Sequence, residues 1–158
     1  MVKVEIKPTV QWDCYDVGRH IRKDDKLEIG HLHGMFKEPS FVLEEQMMMN
    51  QDDCYSVFFN DEIIGIGGCP VAENGVAVPW FIGTELINDY KVTFHKEAKK
   101  LLKEWKSKHS YMANFVWDNS GSKSWLEKLG FNMDDKISFV TATGGKFRAF
   151  YMEGDNSE

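Results

Sequence analysis

The chain has 158 residues, 42% of them hydrophobic and 13% aromatic, enough for one globular domain with a sizeable core and too few for a second. No apolar run approaches the roughly 18 residues that span a bilayer, and the amino terminus alternates instead of forming a signal-peptide core, so a soluble protein is expected, intracellular or packaged. The net charge of −6 is uneven: Lys91 to Ser110 holds seven lysines against two glutamates, a balance of +5 that leaves −11 for the rest.

Val2, Val4 and Ile6 alternate with Lys3, Glu5 and Lys7 before Pro8, which predicts an opening strand with one buried face. Thr9 to about Ile29 reads as one helix with Gly30 as its stop, and His31 and His33 fall in the following loop. Ser40 is placed to cap a second helix, SFVLEEQMMMN, ending at Asn50. Its methionines read as adaptable core packing.

Two strand-like runs, CYSVFFN and EIIGIGGCPV, flank Asp61 and predict a hairpin. A third, GVAVPWFIGT, contains Pro79, which cannot donate to a ladder and so predicts an interrupted or edge strand. From about Asn88 to Ser110, Phe94, Ala98, Leu101, Leu102 and Trp105 form a stripe of helical period with lysines mainly off it. ANFVWDN is then a strand and SKSWLEKLGF a helix closing near Gly130. KISFVTATGGKFRAFYMEG is a hairpin turning at Gly144-Gly145. The order β-α-α-β-β-β-α-β-α-β-β is that of a mixed α+β domain, residues 1–153, with an acidic tail at 154–158 expected to be flexible.

Most chemical motifs fail on inspection. GIGG, Gly65 to Gly68, lacks the third glycine and the following helix of a dinucleotide fingerprint, because Pro70 and another strand come next. Cys14, Cys54 and Cys69 are odd in number with no C-x-x-C spacing, which fits buried thiols in a reducing compartment. His31 and His33 have no carboxylate or cysteine pattern to complete a metal site, so no metal is expected. Cys14 with His20 has no nucleophile context. The lysine helix has no interleaved aromatics on its charged face and sits on an acidic body, which argues against nucleic acid and leaves a solvated face or a phosphate-bearing ligand.

The order VPWFIGT, long helix, FVWDN, then Asn119 with Leu129-Gly130-Phe131 closing a short helix resembles the GNAT acyltransferase superfamily. That resemblance implies a single GNAT-like α+β domain with a splayed fourth strand, Trp80-Phe81-Ile82-Gly83-Thr84, offering backbone groups to an acetyl-CoA arm. It implies cofactor roles for those residues, Lys91 and Asn119, and places Asp25 and Glu28, on the first helix, on the substrate side as candidate general bases. Taken from the residues alone, Arg22, Asp25 and Glu28 equally form a charge cluster at i, i+3 spacing. Glu62, Glu73 and Glu85 read as solvated surface carboxylates. Across nearly the whole chain, IRKDDKLEIG, WFIGTELI, NFVWDN and SWLEKLGF resemble the GNAT-like proteins of short-tailed bacteriophages, internal virion protein A type.

Two departures bear on catalysis. Only Gly83 and Thr84 stand where such enzymes carry a Gly-rich pyrophosphate loop, with Glu85 and Asp89 close behind. Seven residues after Asn119, where many members keep a proton-donating tyrosine, stands Leu126. Two readings stay open. One is a non-catalytic or degenerate member acting as an internal virion component or host-factor binder, in the virion interior or the host bacterial cytoplasm, with virion or host proteins as partners. The other is an active acetyl-CoA-dependent N-acetyltransferase acting on an amine of a small molecule or host protein.

Overall fold

A computed structural model describes residues 1–156. In chain order the elements are β1 (Val4–Pro8), α1 (Gln11–Arg19), α2 (Lys23–His33), α3 (Pro39–Met49), β2 (Tyr55–Phe59), β3 (Glu62–Gly68) and β4 (Trp80–Gly83). A 3-10 turn at Glu85–Asp89 leads into α4 (Lys91–Lys108), β5 (Tyr111–Trp117), α5 (Ser122–Lys128), β6 (Asn132–Val140) and β7 (Lys146–Glu153). The strands form two antiparallel sheets, β1-β2-β3-β4 and β5-β7-β6. This is the mixed α+β architecture that the element order predicts.

The segment expected as one helix from Thr9 to Ile29 is two helices. Ile21 bridges Thr84 in antiparallel fashion, the Arg22 N–H donates to Gly83 O at 2.9 Å and the Glu85 N–H to His20 O at 3.1 Å. Residues 20–22 are therefore drawn out as a short strand-like link, and nothing local in His20-Ile21-Arg22 announces it. His31 and His33 lie in the last turn of α2 instead of a loop, and the stop is Gly34, at φ +111°, not Gly30. The cap of α3 is Glu38, two residues ahead of the expected cap Ser40, with Pro39 at the first helical position. α1 crosses α3 at Gly18, where a Cβ would stand 2.1 Å from Ser40 Oγ.

The β2–β3 hairpin turns at Asn60 and Asp61, both left-handed, as a two-residue connection requires. β6 begins at Asn132, earlier than expected, and its pairing with β7 slips between Asp134 and Ser138. Of the tail expected at 154–158, Gly154, Asp155 and Asn156 donate backbone hydrogen bonds to Ser110, Lys106 and His109. Ser157 and Glu158 lie outside the described residues.

Three apolar clusters cover the two sheet faces. Cys14, Val17, Leu43, Ile63 and Ile66 pack under α1 and α3. Val57, Phe59, Ile64 and Phe94 pack beneath α4 on the opposite face. Leu102, Met112, Val116, Phe131 and Phe150 join α4 and α5 to the second sheet. β4 and β5, the facing edges of the two sheets, are where these clusters meet.

Candidate functional site

β4 and β5 touch at one end and part at the other. At the closed end, the Ala77 N–H donates to Tyr111 O at 3.1 Å and the Ala113 N–H to Ala77 O at 2.9 Å, a parallel bridge; Asn114 Nδ2 adds a bond to Pro79 O at 2.9 Å. Pro79 has no N–H to continue the ladder, so pairing ends there. Beyond it, Trp80 to Ile82 pair with β3 alone, and Gly83 O also accepts the Arg22 N–H. The interruption expected from Pro79 is thus the fork of a V.

The Thr84 N–H donates to Ile64 O, which fixes the alternation of the β3–β4 ladder. Phe81 and Gly83 therefore turn their N–H and C=O groups away from β3 and toward the gap. Gly65 and Gly67 make room for Phe81: a Cβ on Gly65 would stand 2.3 Å from its ring, and one on Gly67 2.6 Å from Trp80 O. GIGG is thus a close-packing device.

A cavity of about 400 Å³ occupies the gap, lined by residues from both faces of the sheet. On the α4 and α5 side its walls include Phe81, Phe94, Leu101, Trp105, Trp125 and Leu126. On the α2 and α3 side they include Glu28, Leu32, His33, Gln46, Trp80 and Phe115. Such a concave, mainly apolar slot with a few polar groups is how small-molecule sites are built. The Trp80 Nε1 is buried with no partner among the described residues.

The break at 20–22 sets the register of α2 so that Arg22, Asp25 and Glu28 project at this gap. Asp25 is buried and accepts from the Gly83 N–H at 2.8 Å, from Arg22 Nε at 2.9 Å and from Arg22 Nη2 at 3.1 Å. Burial pushes its pKa up, with Arg22 and the Gly83 N–H pulling the other way. One residue earlier, Asp24 Oδ2 accepts from the Gly121 N–H at 3.0 Å. The first turn of α2 therefore ties β4 to the start of α5 across the open end of the V.

Glu28 stands one turn further along. Burial is the largest influence on its carboxyl and Asp25 the next, and together they push its pKa up to about 8, against Arg22 and the Trp117 backbone N–H. A carboxyl with that pKa in an apolar slot accepts or releases a proton near neutral pH. The two carboxylates read together in the sequence thus differ: Asp25 is consumed as a clamp and Glu28 is available.

The other sequence-predicted site residues divide similarly. Trp80, Phe81 and Ile82 line the cavity. Gly83 gives its N–H to Asp25 and its C=O to Arg22, and Thr84 is buried with its hydroxyl on Ile63 O and Ile64 O. Lys91 is the exposed first residue of α4, and Asn119 is exposed in the turn after β5. Neither is among the residues that wall the cavity. Leu126, where the resemblance implies a tyrosine, lies in its wall with a side chain that has no proton to give. Sequence reasoning missed Asn114, Phe115 and Leu32; only their places in alternating or helical segments hinted at a face.

The pantetheine arm of an acyl-CoA, which the resemblance implies, would meet apolar walls and the outward-turned Phe81 groups in this slot. The pyrophosphate end has less: the 3-10 turn replaces a Gly-rich loop, and Glu85 lies in its first turn. Among the described residues no three His, Cys, Asp or Glu side chains converge as a metal-binding group, and no helix is long and apolar enough to cross a membrane.

Solved structures align over almost the entire chain. A ribosomal L7/L12 alpha-N-protein acetyltransferase, RimL, in complex with coenzyme A superposes with a TM-score of 0.69 at 10% identity, covering 98% of this chain and 96% of that one. Ard1 from Thermoplasma volcanium gives 0.67 at 11% identity, covering 97% and 99%. Spermidine N-acetyltransferase from Vibrio cholerae, in complex with CoA and spermine, gives 0.64 at 13%, covering 98% and 97%. No family model and no curated protein sequence matches the chain. The fold is that of the GNAT acetyltransferases.

Proposed function

We propose that this chain takes an acyl-CoA, with acetyl-CoA the simplest case, into the slot between β4 and β5 and passes the acyl group to an amine on the α2 side. The observation that carries this is the Glu28 carboxyl lining the gap between β4 and β5 among apolar walls, where burial and Asp25 push its pKa up. Acyl-CoA supplies the acyl group as a thioester whose C–S bond breaks as the C–N bond to the amine forms. Phe81 offers its free N–H and C=O to the ligand's amide groups, while Phe94, Leu101 and Trp105 exclude water from the arm. Lys91, in the first turn of α4, is assigned to the phosphates.

Glu28, as its carboxylate, takes the proton that the amine nitrogen loses on attack. Leu126 returns none, so the departing thiolate takes its proton from water. Gly83 and Thr84 serve as scaffold in this account, because their backbone N–H groups are already bonded to Asp25 and Ile64. The test is release of free thiol from acetyl-CoA in the presence of amines, by the natural chain and by Glu28→Gln. Amine-dependent release that falls about 100-fold in the variant supports the reading; no release with any amine contradicts it.

A second reading is favoured by one specific observation, the Asp25 carboxylate seated on the Gly83 N–H where a catalytic strand would keep a donor open. With Leu126 and the 3-10 turn, this fits a degenerate member that keeps the fold without transfer. As the phage resemblance implies, it would act as an internal particle component or as a binder of a host protein. Copies of the chain in purified particles would support it, and presence only in infected-cell lysate would count against it.

A further inference from the structure

The α2 side of the slot has a definite chemical character. Its walls are Leu32, Trp80 and Phe115, with Glu28 at the floor and Gln46 and His33 at the side. Phe115 continues into an aromatic row: it meets Phe139 edge-on at 4.9 Å between centroids, and Phe139 stacks on Phe147 at 5.1 Å. Leu32 and Phe115 are partly exposed, and the turn after Leu32 carries the exposed Met35 and Phe36. The recess therefore begins in an apolar surface and ends at one carboxyl.

Its far wall is closed. The β6–β7 turn is tied to α2 through Thr143 Oγ1 and His31 Nδ1 at 2.6 Å, and His31 lies so close to Gly145 that a Cβ there would stand 2.4 Å from the ring. The His31 ring also lies 5.4 Å from that of Trp117. A ligand reaching Glu28 from this side passes Leu32 and Phe115, and the same cavity continues through the gap to the α4 side.

The charges around the recess are already committed. Asp25 is paired with Arg22, Asp24 holds the Gly121 N–H, and Glu45 is paired with Lys37 at 2.8 Å. Burial and Lys37 push the His33 pKa down, so it is neutral at neutral pH. A polyamine would lay its further ammonium groups along the apolar Leu32 and Phe115, which offer them neither a carboxylate nor a hydrogen-bond acceptor. A single amine on an aromatic or branched aliphatic group would bury that group and could set its nitrogen by Glu28.

Resting on the acyl-transfer reading for its chemistry but not for its binding, we infer that the acceptor is a primary amine carried within a few carbons of an aromatic or branched aliphatic group, and not a polycation. Two sources share this chemistry, a free small amine and the first residue of a peptide chain.

The test is equilibrium binding to the natural chain, read by calorimetry and by tryptophan fluorescence, to which Trp80 in the recess contributes, with phenethylamine, a Phe-Ala-Ala peptide amide and spermidine as probes. Leu32→Glu, a change at a partly exposed position, is the variant, with its circular dichroism checked against the natural chain. Phenethylamine or the peptide binding at least tenfold more tightly than spermidine, and losing about tenfold in Leu32→Glu, is the expected result. Tight phenethylamine with weak peptide identifies a free amine, and the reverse a chain terminus. Spermidine binding as tightly as both, or no binding by either apolar amine, overturns the inference. Selective binding without thiol release from acetyl-CoA would leave this inference standing while refuting the transfer reaction.

Discussion

The Asp25 carboxylate accepts the Gly83 N–H at 2.8 Å across 58 residues of sequence. Through that bond and the Arg22 fork, α2 holds the open end of β4 in place. The clamp occupies a backbone donor that faces the ligand slot, so structural support and ligand contact compete for one N–H group.

Asp25→Ala leaves the Arg22 guanidinium and the Gly83 N–H without their partner in a largely dry site. The expected loss is roughly 3 kcal/mol of stability. Urea unfolding of Asp25→Ala, Arg22→Ala and the double variant checks it, with a coupling of about 1–3 kcal/mol between the two positions. A coupling near zero would mean that the fork contributes nothing.

Glu28 makes activity and stability respond to pH in opposite senses. As a base it works only when ionised, so kcat/KM for acyl transfer should rise about tenfold per pH unit toward its pKa of about 8 and then level. Its folded pKa is raised above the ordinary 4.5, so between there and about 8 the folded chain holds a proton that the unfolded chain has released. The stability it contributes is present below that window and is lost as pH rises through it. Glu28→Gln removes both trends, and at pH 9 it should be more stable than the natural chain by roughly 1–3 kcal/mol. Thermal unfolding from pH 5 to 9 reads the second trend, thiol release the first.

Gly67→Ala puts a methyl 2.6 Å from the Trp80 carbonyl oxygen and 2.8 Å from the Phe81 ring. β3 and β4 must then separate locally, at an expected cost of roughly 2 kcal/mol. Because Phe81 forms a wall of the slot, ligand affinity should fall with stability. Gly75→Ala offers a contrast: its φ of +84° strains a side chain, but nothing lies within 4 Å, so unfolding should shift while binding stays unchanged.

Asn114→Ala removes the side-chain bond to Pro79 O at the closed end of the V. The expected loss is about 1 kcal/mol. Hydrogen exchange of the Ala113 N–H, which bonds Ala77 O, should accelerate in the variant; unchanged exchange would show that the backbone bridge holds alone.

Much of this arrangement was legible in the sequence because local chemistry announces it. Pro79 marks the end of pairing, the Phe94 to Trp105 stripe marks α4, and Gly144 turns the last hairpin with φ +84°. The break at Ile21 was not legible, since it arises from pairing with Thr84, 63 positions away, and His20-Ile21-Arg22 contain no glycine or proline. For the same reason Asp25 and Glu28 looked alike: their spacing is local, but which one meets the Gly83 N–H depends on where β4 ends. Leu32 and Phe115 were invisible as site residues because an apolar wall has no motif.

The claim that the slot between β4 and β5 takes an acyl-CoA is tested most directly by calorimetric titration of the purified chain with acetyl-CoA and with CoA. The account predicts binding with a Kd on the order of micromolar, about −8 kcal/mol. No heat of binding at millimolar ligand would contradict it and would leave a GNAT fold without an acyl-CoA site.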